Sequence, residues 1–325
     1  MNVSYLRVSI TESCNLKCFY CRPDSSPFKM KDEYLTYEEI ARLVRGMSKY
    51  GLKKVRITGG EPLLRPNVPK LVKLLKSIDG IEDVSLTTNG LTLYKHIKAL
   101  KKAGLDRLNI SLDTLNPDKF KIITGGNLEN VIKSIEEAVN EGFKSIKLNI
   151  VALKNSSNPM FSNEDEILDF IDFANKYELE IRFIEMMPIG FSFGIEREIL
   201  TVDKIRKIIE TKFGKLIPTL SYGSGAARVY KINGLNLKVG FISPISQPFC
   251  DNCSKLRLTA DGNIKLCLRT DEEIPAREVI RYGSEADIDR FIKKVIIEKE
   301  ISNQKIIASG YRFSECSRNM IGIGG

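Results

Sequence analysis

Apolar residues in the first half of the chain fall into short runs rich in Val, Ile and Leu, separated by longer stretches with helical spacing. The runs predict strands over Val3 to Ile10, Lys54 to Thr58, Asp83 to Thr88, Arg107 to Leu112, Ser145 to Val151 and Glu180 to Met186. Amphipathic stretches between them begin near Thr36, Pro66, Thr92, Asn116, Asn127 and Asn163. Six strand-then-helix units predict a parallel sheet closed, or nearly closed, into a barrel of the TIM-like α/β type.

One period-2 face of these strands is repeatedly polar. It reads Arg7 and Ser9; Arg56 and Thr58; Ser85, Thr87 and Asn89; Asn109, Ser111 and Asp113; Ser145, Lys147 and Asn149; Glu180 and Arg182. An ordinary eight-stranded barrel fills its interior with branched apolar side chains, so this pattern predicts an interior built around a polar, anionic ligand. The alternative is an open sheet whose polar face meets solvent.

Near Gly190 the rhythm changes. A helix over Thr201 to Lys212 is followed by short strands at Arg228 to Ile232, Leu237 to Ser243, Leu256 to Ala260 and Asn263 to Leu268. Asp261-Gly262 marks a hairpin between the last two, and helical patterns return at Pro275 to Arg281 and Ala286 to Glu298. The division expected is a partial barrel over 1–190 and a smaller α+β region over 191–325.

Composition narrows the class. A chain of 325 residues, 42% hydrophobic, is ample for a buried core, and no run of apolar residues is long enough for a membrane span or a leader. A cytoplasmic protein is expected. The net charge of +9 is spread along the chain and favours anionic ligands without choosing one. Seven cysteines, an odd number, point away from a disulfide framework and towards metal or redox chemistry.

Cys14, Cys18 and Cys21 follow the first strand directly, in the loop at the carboxyl end of the barrel where such folds carry their sites. Structural zinc takes four closed ligands, and the one histidine, His96, lies in a distant helical pattern. Three thiolates instead suit a four-iron cluster with one iron open to a ligand. Gly59-Gly60-Glu61-Pro62 stands after the second strand and, alone, is an ordinary turn. Together, the two motifs resemble the radical S-adenosylmethionine superfamily. The resemblance implies that the open iron chelates S-adenosylmethionine, that Gly60 lies at its amino group and Tyr20 near its adenine, and that reductive cleavage yields a 5′-deoxyadenosyl radical.

A second trio, Cys250, Cys253 and Cys267, brackets the hairpin, with Lys255 and Arg257 alternating beside it. Cys316 could complete a zinc site there, or be an unrelated thiol that leaves a second open cluster. With the closing Gly324-Gly325, these residues resemble the GTP 3′,8-cyclase family, also called molybdenum cofactor biosynthesis protein A. The resemblance runs through YLRVSITESCNLKCFYC, VRITGGEPLLR, LTTNG, LNISLDTL, IRFIEMM and QPFCDNCSKLRLTADG. It implies two [4Fe-4S] clusters and conversion of GTP to 3′,8-cyclo-7,8-dihydroguanosine triphosphate, the first step towards the molybdenum cofactor, with guanine held at the second cluster. Arg7, Arg56, Thr87, Lys147, Lys255 and Arg257 are then expected at GTP, Ser111 and Met187 at S-adenosylmethionine, and the terminal glycines in the active site. Expected partners are a flavodoxin or ferredoxin as electron donor and the cyclic pyranopterin monophosphate synthase that takes the product. A homodimer is open to it; no membrane or nucleic acid is expected.

Departures are few. Lys255 replaces the commoner Arg, keeping the charge but losing the bidentate fork, and RPDSSPFKM after Cys21 differs from the family's Met-Pro continuation. Two other readings compete with this one. A peptide-modifying radical enzyme would show more cysteines near the tail. A zinc-bearing nucleic-acid binder would show basic and aromatic clusters beyond Lys17, Phe19 and Tyr20.

Overall fold

A computed structural model describes residues 3–21, 34–190, 198–220, 226–251, 253–311, 313 and 318–324. Six strands carry the first half: β1 (Tyr5–Ser9), β2 (Lys54–Thr58), β3 (Asp83–Thr88), β4 (Arg107–Ser111), β5 (Ile146–Lys154) and β6 (Glu180–Glu185). They are followed by β7 (Glu198–Ile199), β8 (Ile217–Thr219), β9 (Arg228–Lys231), β10 (Lys238–Ile242), β11 (Lys255–Leu258), β12 (Asn263–Lys265) and β13 (Glu273–Pro275). The helices are α1 (Tyr37–Ser48), α2 (Val68–Lys76), α3 (Ile97–Lys102), α4 (Pro117–Thr124), α5 (Leu128–Asn140), α6 (Ile167–Lys176), α7 (Val202–Phe213), α8 (Arg277–Tyr282) and α9 (Glu285–Ala308).

Local chemistry starts several helices. Thr36 and Glu39 close a capping box on α1, and Ser284 and Asp287 close one on α9. Asn116 and Asn127 cap α4 and α5 with their side-chain oxygens, α4 having Pro117 in its first turn. The apolar strand face, including Leu6, Val8, Val55, Ile57, Leu108 and Ile110, is fully buried in the main core. Each such side chain contributes about 1.5–3 kcal/mol when removed from water.

The parallel sheet continues past the six expected strands at both edges. β11 pairs in parallel with β1 and β10 with β6, so the parallel order is β11-β1-β2-β3-β4-β5-β6-β10. Antiparallel β12 and β13 extend one edge, and β9 and β8 the other. Among the described residues no ladder joins β13 to β8, yet Arg257 of β11 and Ile242 of β10 line one cavity, so the sheet curls into an incomplete barrel. Asp261 and Gly262 form the turn between β11 and β12, as the sequence predicts.

Register aligns the polar face. Arg257, Arg7, Arg56 and Ser85 stand side by side across four strands, and Thr87, Asn109, Lys147 and Glu180 across the next four positions. Ser85, Asn109, Lys147 and Arg182 are all buried, which places this face inside the barrel and removes the solvent-facing alternative. Deep in the interior the charges neutralise one another: Glu180 accepts from Lys147 at 2.8 Å and from Arg182 at 2.6 Å, and Arg107 pairs with Asp83.

The sequence reading misses β7, β8 and β13, each two or three residues long, two of them holding a proline that suits an edge. It also ends the last helix ten residues early, at Glu298, whereas α9 runs to Ala308. Lys299, Ser302 and Asn303 break the apolar periodicity there but are all buried, Lys299 and Asn303 against Cys253 of the second trio.

Candidate active site

The loop after β1 is fastened from two sides. Ile10 donates to Thr58, Gly60 to Thr11 (2.7 Å) and Glu61 to Ser13 (2.7 Å), so the Gly-Gly turn prolongs the β1/β2 ladder into the loop that carries Cys14. The turn needs glycine. A Cβ on Gly59 would lie 2.7 Å from the Thr11 carbonyl, and one on Gly60 2.4 Å from that of Ser13. On the other side Lys17 and Phe19 donate backbone N–H groups to Thr124 and Ile123 at the end of α4.

Glu61 fixes the next loop. Its buried carboxylate accepts from Thr88 Oγ1 (2.8 Å), Asn89 N (2.7 Å) and Leu63 N (3.1 Å), while burial pushes its pKa up to about 7. Asn89 in turn donates to Cys14 Sγ at 3.8 Å. Tyr20 donates its hydroxyl to Asp113, which also accepts from Val151 N at 2.8 Å; burial raises the Asp113 pKa to about 6. Neither Asn89 nor Asp113 belongs to the residues singled out for function, although both lie on the polar strand face.

A cavity of about 400 Å³ occupies the mouth of the barrel, within the range of small-molecule sites. All six cysteines of the two trios line it, and none forms a disulfide. Among the described residues no three His, Cys, Asp or Glu side chains are grouped as they would be round one metal ion. The donor sets, three thiols each, suit an iron–sulfur cluster. Cys316 lies outside the described residues. Burial raises the Cys18 pKa; at Cys253 burial works the same way, but Lys299, the Lys255 backbone and the Lys255 charge outweigh it and the pKa falls.

The expected residues for S-adenosylmethionine, Tyr20, Gly60, Ser111 and Met187, all line the cavity. So do Arg7, Arg56, Thr87, Lys255 and Arg257. Among the described residues no carboxylate lies within ion-pair distance of Arg7, Arg56 or Lys255. Burial lowers the pKa of Arg7, helped by Arg257 and Arg56, and that of Lys255, against the pull of Cys253. Lys255 rests over the Phe249 ring at 5.1 Å and Arg56 over Tyr5 at 5.6 Å. Two further polar atoms on the wall, Thr87 Oγ1 and Asn149 Oδ1, are buried with no hydrogen-bond partner among the described residues. Half-buried cations facing one cavity suit an anionic ligand, and an unpartnered amide oxygen beside them suits a hydrogen-bond donor on the same ligand. Asn149 is thus a site residue the sequence reading left unassigned, visible only as part of the period-2 face.

Lys147 is placed deeper than the other expected cations. It is not among the cavity residues, because the β5/β6 register sets it opposite Glu180, which takes its ammonium.

The tail enters the same space. Arg7 Nε donates to the Gly324 carbonyl at 2.5 Å, Thr58 Oγ1 to the same oxygen at 2.9 Å, and Arg257 to the Ile323 carbonyl at 2.9 Å. Gly324 has φ +82°, and a Cβ there would lie 2.6 Å from Thr58 Cγ2, so glycine is required. Arg318 clamps the tail's start, pairing with Asp261 at 2.7 Å and Glu273 at 2.9 Å. Gly325 lies outside the described residues.

Comparison with known proteins agrees with this geometry. Residues 8–174 match the model of the Radical SAM superfamily, and residues 179–305 that of Molybdenum Cofactor Synthesis C. A GTP 3′,8-cyclase of Limosilactobacillus fermentum is 45% identical over 93% of this chain and 88% of the relative, and one of Lactiplantibacillus plantarum 42% over 99% and 96%. Among solved structures, Streptococcus suis SuiB bound to S-adenosylmethionine matches with a TM-score of 0.63 at 17% identity, covering 82% of this chain and 61% of that one. SuiB bound to precursor peptide SuiA matches at 0.66 and 16%, covering 88% and 64%. At such identities these likenesses carry the fold alone. No helix of the described residues is long and apolar enough to cross a membrane. With most of its length matched at 40% identity and above, the chain belongs to the GTP 3′,8-cyclase family of the Radical SAM superfamily.

Proposed function

We propose that the chain converts GTP to (8S)-3′,8-cyclo-7,8-dihydroguanosine 5′-triphosphate, the first step of molybdenum cofactor biosynthesis. The observation that carries this reading is the set of half-buried cations without carboxylate partners among the described residues, Arg7, Arg56 and Lys255, in a cavity bounded by both cysteine trios. A triphosphate is the ligand such a set calls for.

Cys14, Cys18 and Cys21 would hold one [4Fe-4S] cluster, and Cys250, Cys253 and Cys267 a second. When bound, the first cluster with S-adenosylmethionine supplies a carbon radical that abstracts hydrogen from the ribose. The chain's own residues position and shield. Gly60, Ser111, Met187 and Tyr20 would seat S-adenosylmethionine, with Asp113 fixing the Tyr20 hydroxyl. Arg7, Arg56, Lys255 and Arg257 would bind the phosphates, and Thr87 and Asn149 would meet polar atoms of the nucleoside. The curled sheet and the Met320–Ile323 segment, which borders the cavity, would shield the space between from water. Gly324 and Gly325 would order Arg7 and Arg257 for the reaction.

In this reading residues 1–190 generate the radical and 191–325 present the substrate side. The free thiols suit a reducing cytoplasm. A flavodoxin or ferredoxin would deliver the electron, and the cyclic pyranopterin monophosphate synthase would take the product; a second copy of the chain could share the assembly.

The test is anaerobic reconstitution followed by incubation with GTP, S-adenosylmethionine and dithionite. Roughly eight irons per chain, the content of two four-iron clusters, and 5′-deoxyadenosine formed with the cyclised nucleotide only when GTP is present are expected. Cleavage of S-adenosylmethionine without a cyclised product from GTP would sink the assignment.

A further inference from the structure

Of the buried cations that the function proposed above leaves unassigned, one touches a cysteine of the second trio. Lys299, on α9, is 1% exposed, and its ammonium donates to the Leu266 carbonyl at 2.6 Å and to Cys253 Sγ at 3.8 Å. One turn later Asn303 donates its side-chain amide to the Cys253 carbonyl at 3.0 Å. The helix therefore grips Cys253 at both its sulfur and its backbone, and reaches the peptide bond just before Cys267.

Among the described residues no carboxylate lies within ion-pair distance of Lys299. An ammonium withdrawn from water costs several kcal/mol unless a counter-charge is supplied, and a single carbonyl dipole is not one. The anions available are the thiolates of Cys250, Cys253 and Cys267. A buried lysine on an otherwise polar stretch of helix is thus explained by the charge of the group these cysteines hold. Hydrogen bonds to ligand sulfurs are among the terms that set an iron–sulfur cluster's reduction potential.

We propose that Lys299 is a positioning residue for the second cluster, whose N–H···S bond to Cys253 raises that cluster's reduction potential. This rests on the reading of Cys250, Cys253 and Cys267 as cluster ligands. Withdrawing negative charge from the sulfur favours the reduced, more anionic state, and the electron comes from the dithionite used in titration. Asn303 fixes the Cys253 backbone so that the bond persists.

The experiment uses the reconstituted full-length enzyme as wild type, Lys299→Met, Lys299→Arg and Lys305→Met. Lys305 lies on the same helix but is exposed and paired with Glu272, so it serves as control. Iron and sulfide are counted first. Reduction is then followed by electron paramagnetic resonance, with S-adenosylmethionine added to mark the first cluster's signal. Lys299→Met should lower the second cluster's midpoint until its reduced fraction at a given potential falls about tenfold, or about 59 mV for one electron. The first cluster's midpoint should stay where it is, Lys299→Arg should restore most of the shift, and Lys305→Met should change nothing. Loss of half the iron in Lys299→Met but not in Lys299→Arg would also support the role, since charge and not the helix would then hold the cluster. An unmoved midpoint in a fully loaded Lys299→Met enzyme overturns the inference, as does equal iron loss in the Met and Arg variants. Wild type with only about four irons would instead overturn the two-cluster reading itself.

Discussion

Replacing Gly60 by alanine adds one methyl group where the fold has no room for it. Its Cβ would lie 2.4 Å from the Ser13 carbonyl oxygen, 2.8 Å from its carbon and 3.0 Å from the Glu12 oxygen, all backbone atoms that cannot rotate away. Ordinary contact begins at 3.4 Å, so the two segments must part by about 1 Å. Overpacking of this kind costs ~1–3 kcal/mol. At about 2.1 cal/mol/K per residue, unfolding 325 residues has an entropy of about 0.7 kcal/mol/K, so the apparent melting midpoint should fall by roughly 1.5–4 °C. The larger effect should be on function, because the displaced loop leads into Cys14 and a misplacement of about 1 Å can cost on the order of 100-fold in rate. Gly46→Ala is the comparison. Its Cβ would meet only the tips of Ile292 and Ile288, and the methyl group gains roughly 1 kcal/mol of helix propensity in α1. Differential scanning calorimetry and S-adenosylmethionine cleavage should therefore separate the two variants. Equal melting and equal cleavage for Gly60→Ala and wild type would refute the argument from steric fit.

Other expectations follow from the same geometry. Arg56→Ala should weaken GTP binding by about 1.5–3 kcal/mol, or roughly 10- to 150-fold in Kd by calorimetry, and leave S-adenosylmethionine binding intact. Lys147→Met should weaken GTP binding far less than Arg56→Ala while lowering stability, since it leaves the interior Glu180 with Arg182 as its one remaining ion-pair partner among the described residues; the reverse order in a binding assay would place Lys147 at the substrate. Removing Gly324 and Gly325 should abolish cyclised product and leave iron content unchanged, and unchanged turnover would end the role given to the tail. Burial raises the Glu61 pKa to about 7, so the folded protein keeps a proton that the unfolded chain releases near pH 4.5. The stability it contributes is full below about pH 4.5 and is lost as pH rises to about 7, a change of roughly 3 kcal/mol that urea titrations at pH 5 and pH 8 should find in wild type and not in Glu61→Gln.

The parallel core was legible because its strands are short apolar runs between periodic helices, and β2 and β3 match expectation to the residue. The polar face was legible for the same reason: a period of two separates it cleanly from the core. What the sequence could not convey was pairing at long range. Nothing local says that Arg257 stands beside Arg7, which requires β11 to join β1 across almost the whole chain. The ion pair of Lys147 was hidden for the same reason: residue type and face were legible, while its neighbour Glu180 across β5 and β6 was not. The end of α9 was missed because a helix that buries lysine and asparagine against thiols has no apolar stripe to detect.

The ladder between β1 and β11 fastens residues near position 5 to residues near position 255. Arg7 and Arg257 stand directly opposite each other on this seam, in strands about 4.8 Å apart. At an effective dielectric constant of about 20, two unit charges roughly 5 Å apart repel by about 3 kcal/mol. The seam is therefore under electrostatic load whenever no anion lies across it, relieved in part by the tail carbonyls that each guanidinium holds. A polyanion bridging the pair would turn that load into a clamp between the first and last thirds of the chain, making the substrate a fastener of the barrel that receives it.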